Sequence, residues 1–120
     1  MLEEDLMKNS LIEEIRSLCV TYPEVHEHID GFGHTSFRVK DKPFVIVGEE
    51  NNLSLSIKTL PTTQEILLEQ PGYTKAPYIG RHGWVLVETE KVGWQAIEAL
   101  IHEGYLRVAP KKLANQVRNG

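Results

Sequence analysis

Apolar residues in this chain change their spacing several times, and each change marks a new element. Leu11, Ile12, Ile15, Leu18 and Cys19 recur on one helical face, behind a Ser10–Glu13 pair with capping-box spacing. The spacing predicts a helix to about Val20, stopped before Pro23, whose ring disfavours helical geometry at Tyr22. Leu2, Leu6 and Met7 would extend it backwards, and residues 1–9 are expected to fray. Next comes a two-residue period. Phe37 and Val39 alternate with Ser36, Arg38 and Lys40, a short turn follows at Asp41-Lys42, and "PFVIV" is rich in aromatic and β-branched residues. After the polar turn "GEENN", Leu53, Leu55 and Ile57 alternate with Ser54, Ser56 and Lys58. Consecutive strands with short turns predict an antiparallel meander.

Thr62 and Glu65 repeat the capping-box spacing after Pro61, so Ile66, Leu67 and Leu68 are expected in a short helix ended by Pro71-Gly72. "APYI" and "WVLVE" are strand-like, with "GRHG" between them supplying glycine for a hairpin bend. Trp94, Ile97, Leu100 and Ile101 then space a helix that Gly104 can cap, and Tyr105, Leu106 and Val108 carry an apolar face on to Pro110. The order is α-β-β-β-α-β-β-α, an α+β fold with an antiparallel sheet and helices packed on one face. Phe37, Phe44, Leu55, Trp84, Trp94, Ile97 and Leu100 are the expected core.

A chain of 120 residues suits one domain, 1–120, with 110–120 as a basic C-terminal tail. No apolar run approaches the roughly 20 residues that span a bilayer, and the acidic start has no secretory pattern, so no membrane partner is expected. Cys19 is the only cysteine, which excludes an intrachain disulfide and fits a reducing cytoplasm. A monomer is expected. The net charge of −4 argues against indiscriminate adhesion to DNA, but it is unevenly spread. Residues 1–103 hold 9 cations and 17 anions, whereas residues 104–120 hold Arg107, Lys111, Lys112 and Arg118 and no anion.

His26 and His28 would share a face only on a strand, and they read more simply as loop histidines. Neither Cys19 nor His34 stands at a zinc-motif spacing from them, so no metal site is expected there. The acidic group Glu3, Glu4, Asp5, Glu13 and Glu14 reads as a solvated helical face. Cys19 lies on the apolar stripe of the first helix, as inert core cysteines do. There is no P-loop, phosphate-binding glycine fingerprint or serine elbow, so the reading is a non-enzyme without cofactor. The cations are more informative. Arg38 and Lys40 fall on the solvent side of their strand, Lys58 on that of a later one, and Lys42 and Arg81 at turns. With Tyr73 and Tyr78 as aromatic contacts, they could lie along a phosphate backbone.

"FGHTSFRVKDKPFVIV", "LSLSIK", "APYIGRHGWVLVE" and "LIHEGYLRV", in this order from about Tyr22 to Val108, resemble the MmcQ/YjbR family of small bacterial proteins. Phe37, Lys42, Phe44, Lys58, Tyr78, Trp84 and Tyr105 stand at positions that recur in it. The resemblance implies a frataxin-like (CyaY-like) α+β fold and a DNA-binding protein. The function expected is therefore weak, largely sequence-independent nucleic-acid binding through hairpin and sheet cations. The alternatives are a protein-interaction module using Tyr73, Tyr78 and Trp84, and an iron-handling protein by analogy with frataxin.

Overall fold

The computed structural model describes residues 3–48 and 53–119, with side chains from Ser10 onward. Helix α1 (Glu3–Cys19) leads into β1 (Val25–Ile29), β2 (His34–Val39), β3 (Lys42–Gly48) and β4 (Ser54–Lys58). Then follow α2 (Pro61–Leu68), β5 (Tyr73–Lys75), a single-turn 3-10 helix at Gly80–His82, β6 (Trp84–Val87), α3 (Trp94–Val108) and α4 (Lys111–Asn119). The strands form one six-stranded antiparallel sheet in the order β1-β2-β3-β4-β6-β5. The α+β class expected from the sequence is the observed one.

Register explains the core. Phe37, Val45, Ile57 and Val85 pair in succession across four strands, and each is at most 1% exposed. Ile15 and Cys19 of α1 and Ile97, Ile101 and Tyr105 of α3 belong to the same buried cluster. Each such residue removes enough apolar surface from water to contribute about 1.5–3 kcal/mol. The register of β2 and β3 slips between Phe37 and Arg38, which leaves Phe44 as the extra residue of a bulge. Its ring meets Tyr105 edge-on at 5.7 Å, and Tyr105 stacks on Tyr22 at 4.7 Å. The Tyr105 hydroxyl donates to the Pro23 carbonyl at 2.9 Å, so the turn after α1 is tied to α3.

Several local expectations need correction. Ser10 is inside α1 rather than at its start, because the acidic and unbranched residues upstream are themselves good helix formers. "VHEHI" is the edge strand β1 and not a loop. It escapes notice because the inward position opposite Phe37 is Glu27, whose charge is met by Arg16 of α1 at 2.8 Å. Thr62 does not cap α2, which starts at Pro61 without a side-chain cap. Instead Glu103 of α3 accepts from the Leu60 amide at 3.2 Å and from the Thr63 hydroxyl at 2.8 Å. "APYI" is not a strand. The hairpin is real but wider: β5 is Tyr73–Lys75, and Ala76–Gly83 form the connection. Gly83 closes it at φ +95°, where a Cβ would lie 2.3 Å from the Thr59 carbonyl oxygen.

Residues 110–120 do not form a plain tail, since α4 fills most of the segment and buries Leu113 and Ala114. Of the expected core, all are buried except Trp94, which is half-buried. Trp84 is 4% exposed but does not belong to the main cluster. Val85 and Val87 take the core side of β6, so strand alternation turns Trp84 and Leu86 to the other face. The turn read at "GEENN" and the side chains of Glu3, Glu4 and Asp5 lie outside the described residues.

Candidate functional site

With the helices on the Phe37 side, the other side of the sheet carries a different row. His28, Ser36, Ile46, Ser56, Leu86 and Thr74 pair in succession across all six strands. Beside it, His26 faces Arg38 and Arg38 faces Pro43. His26 and His28 thus do share a face, because they are on a strand. A groove of about 530 Å³ runs over this row, and Pro77 and Ile79 of the β5–β6 connection line it together with the strands. Gln64 of α2 holds that connection in place, its amide donating to the carbonyls of Gly80 at 2.7 Å and Trp84 at 3.0 Å.

The five candidate cations have four different surroundings. Arg38 is half-buried in the groove, where its Nε donates to the Ser36 hydroxyl at 2.8 Å. Lys40 belongs to the β2–β3 turn, with φ +51°, and its ammonium is 2.9 Å from the Glu24 carboxylate. That contact, and then the Lys40 charge itself, hold the Glu24 carboxyl below its ordinary range, with smaller help from Lys112. Arg81 lies on the 3-10 turn, with Nε 3.2 Å from His82 Nε2. Lys58, at the end of β4, feels the charges of Arg107 of α3 and of Lys42 at the start of β3. Desolvation is the main reason the Lys58 ammonium is held below its ordinary range, and the neighbouring charges of Arg107 and Lys42 add to it.

The sequence reading missed Arg107 as a site residue, and the reason is Gly104. That residue was expected to cap the helix, yet α3 continues to Val108. A Cβ at Gly104 would lie 2.9 Å from the Lys58 carbonyl oxygen and 3.4 Å from that of Phe44. A glycine at this point lets α3 sit directly on β3 and β4, which carries Arg107, three residues on, to the strand ends. The available signal was a glycine inside an apolar helical pattern with an arginine one turn later.

The candidate aromatics also separate. Tyr73 is half-buried against the core, whereas Tyr78 is 96% exposed with φ +64°, an unusual conformation for a bulky side chain. Phe32, not singled out from the sequence, is 76% exposed in the β1–β2 turn. Among the described residues no three of His, Cys, Asp and Glu stand where they could hold a metal ion. Among the described residues no helix is long and apolar enough to cross a membrane.

Comparison with known proteins agrees with this architecture. The chain is similar to the Deinococcus radiodurans protein DR2400, which carries a DUF419 domain, at 20% identity and a TM-score of 0.75, over 89% of this chain and 87% of that one. It is similar also to a Pseudomonas syringae protein, structural-genomics target PsR293, at 16% identity and a TM-score of 0.66, over 81% of this chain and 97% of that one. At such identities the likeness is one of fold. No curated protein matches the chain. The sequence profile described as YjbR matches residues 20–107, from the end of α1 to the last turn of α3. By that match over most of its length, the chain belongs to the YjbR family (MmcQ/YjbR, DUF419).

Proposed function

We propose that this protein is a binding domain rather than an enzyme, and that it takes nucleic acid weakly and without regard to sequence at its basic end. One observation carries the reading: Lys58 is partly desolvated with the charges of Arg107 and Lys42 acting on it, and among the described residues none of the three is paired with a carboxylate. Desolvating Lys58 beside two like charges opposes folding, and a phosphate placed among the three would relieve it. Contacts of this kind read the backbone and carry no base information.

A salt titration of duplex and single-stranded DNA binding tests the proposal, comparing the native chain with Lys42→Ala/Arg107→Ala. The dissociation constant expected at physiological salt is on the order of 10⁻⁴–10⁻⁶ M. Each cation removed should flatten the slope of log affinity against log salt by about one for duplex. Absence of binding at about 50 mM salt, or binding indifferent to the double change, rejects the reading. A second reading, a protein-interaction module, is favoured by the exposure of Tyr78 and Phe32. It predicts a partner whose affinity depends on those two rings and hardly on salt.

A further inference from the structure

We propose that the groove on the helix-free sheet face is a site for a small organic anion, a molecule that carries a carboxylate or phosphate group on an apolar body. This site is separate from the basic end, and the argument for it does not depend on nucleic-acid binding.

Arg38 is the anchor. Its Nε is committed to Ser36, which is itself buried, so the plane of the guanidinium is held in place. Among the described residues the terminal Nη groups find no acceptor, and no carboxylate pairs with them. A fixed guanidinium fork with its outer donors free matches the two oxygens of a carboxylate or phosphate. The one acid lining the groove, Asp30, is occupied elsewhere. Its Oδ1 accepts from the amides of Phe32 at 2.8 Å and His34 at 3.0 Å, and its Oδ2 lies 3.5 Å from His34 Nδ1. Asp30 therefore shapes the β1–β2 turn and does not neutralise Arg38.

The remaining lining divides by chemistry. Ser54, Ser56, His28 and His34 offer hydroxyls and ring nitrogens along the strands. Ile46, Leu86, Pro77 and Ile79 supply the apolar part, Ile46 and Leu86 being cross-strand neighbours of Ser56 on either side. Gly48 lies between His34 and Ser54 on the neighbouring strands, and a Cβ there would lie 2.6 Å from the Ser54 hydroxyl oxygen and 3.3 Å from the His34 ring. A volume of about 530 Å³ falls in the range of small-molecule sites, roughly 300–1,000 Å³.

The test is an amide and arginine-side-chain NMR titration of the intact chain with phenyl phosphate, benzoate and, as the neutral counterpart, benzyl alcohol. Either anion should move the signals of Ser36, Arg38, Ile46, Ser56 and Leu86, and the arm that binds tighter identifies the phosphate or the carboxylate as the natural group. Arg38→Lys keeps the charge but loses the fork, and should weaken binding at least tenfold. Ser56→Val, a residue well suited to a strand, should weaken it while leaving the melting temperature unchanged or higher. Lys42→Ala/Arg107→Ala should leave it intact, which separates this site from the basic end. The proposal is overturned if neither anion moves the groove signals, if benzyl alcohol binds equally well, or if the shifts follow all surface cations alike. Retention of full affinity in Arg38→Lys would overturn it as well.

Discussion

Cys19 is wholly buried on the inner side of α1, and burial, with a smaller push from the Glu27 carboxylate, moves its thiol up to about 12. An unfolded chain would ionise the same group near 9. Between those values the unfolded state has lost a proton that the folded state keeps, so the stabilisation present below the lower value fades as pH rises towards the upper one. Tyr22 has the same sign, also moved up to about 12 mainly by burial, so the alkaline loss is shared. Cys19→Ala should therefore lose stability less steeply than the native chain between about pH 9 and pH 11 in denaturant titrations. Iodoacetamide at about pH 8 should leave the native thiol unmodified and react quickly once the chain is unfolded. The position of Cys19 on an apolar helical stripe made its inertness legible. The ring stack above it was not, because Tyr22 and Tyr105 are far apart in the chain and meet only through the packing of α3.

At the scale of elements, α3 and α4 show how a short signal is misread when its partner lies far away. Gly104 ends no helix; it is where α3 touches the sheet. Alanine is favoured over glycine in a helix by about 1 kcal/mol, yet here its methyl would meet two backbone carbonyl oxygens that cannot rotate aside. The steric term should win. We expect Gly104→Ala to destabilise by about 1–3 kcal/mol in chemical denaturation. An unchanged or raised midpoint would mean that α3 can lift from the strands at no cost. For α4, the basic composition suggested a solvated tail, whereas Leu113 and Ala114 are an apolar pair in a cationic segment. Leu113→Ala should cost about 2 kcal/mol, a low value for a buried leucine because α4 is a short helix that buries only Leu113 and Ala114. Thermal melts of that variant against Lys111→Ala, which is exposed, separate packing from charge.

Across the whole molecule, charge is arranged along α3. Glu13, Glu14 and Glu98 surround one shallow hollow beside Trp94 at its start, and near its end Arg107 adds its charge to that of Lys42 on Lys58. Glu98 and Arg107 are nine residues apart in the sequence, about 14 Å of helix, so α3 carries an acidic group in its first half and a cation in its last turn. Lys58 gives this arrangement a sharp test. Its partly buried charge, next to two others, is unfavourable to folding, so Lys58→Met should keep or raise the melting temperature while weakening DNA binding. A cation that served only the fold would behave in the opposite way, losing stability with no effect on DNA.

Periodicity was enough to locate the apolar faces of β2 and β4, where Phe37, Val39, Leu55 and Ile57 alternate cleanly with polar residues. It was not enough for the phase of β6, whose four residues are all apolar and whose core side is Val85 and Val87 rather than Trp84. Where a charge points inward, as Glu27 does, the same logic fails, because its partner Arg16 is supplied by another element. The sequence also made a set of candidate cations visible on strands and turns. Their sorting came from three-dimensional contacts: Lys40 was taken up by Glu24, Arg38 was aligned by Ser36 in a groove, and Arg107 was carried to Lys58 by a close helix contact. Hydrophobic pattern is a local property of the chain and survives in its letters. Convergence of charges depends on register, on a bulge and on one glycine, and none of these has an energy until distant segments pack.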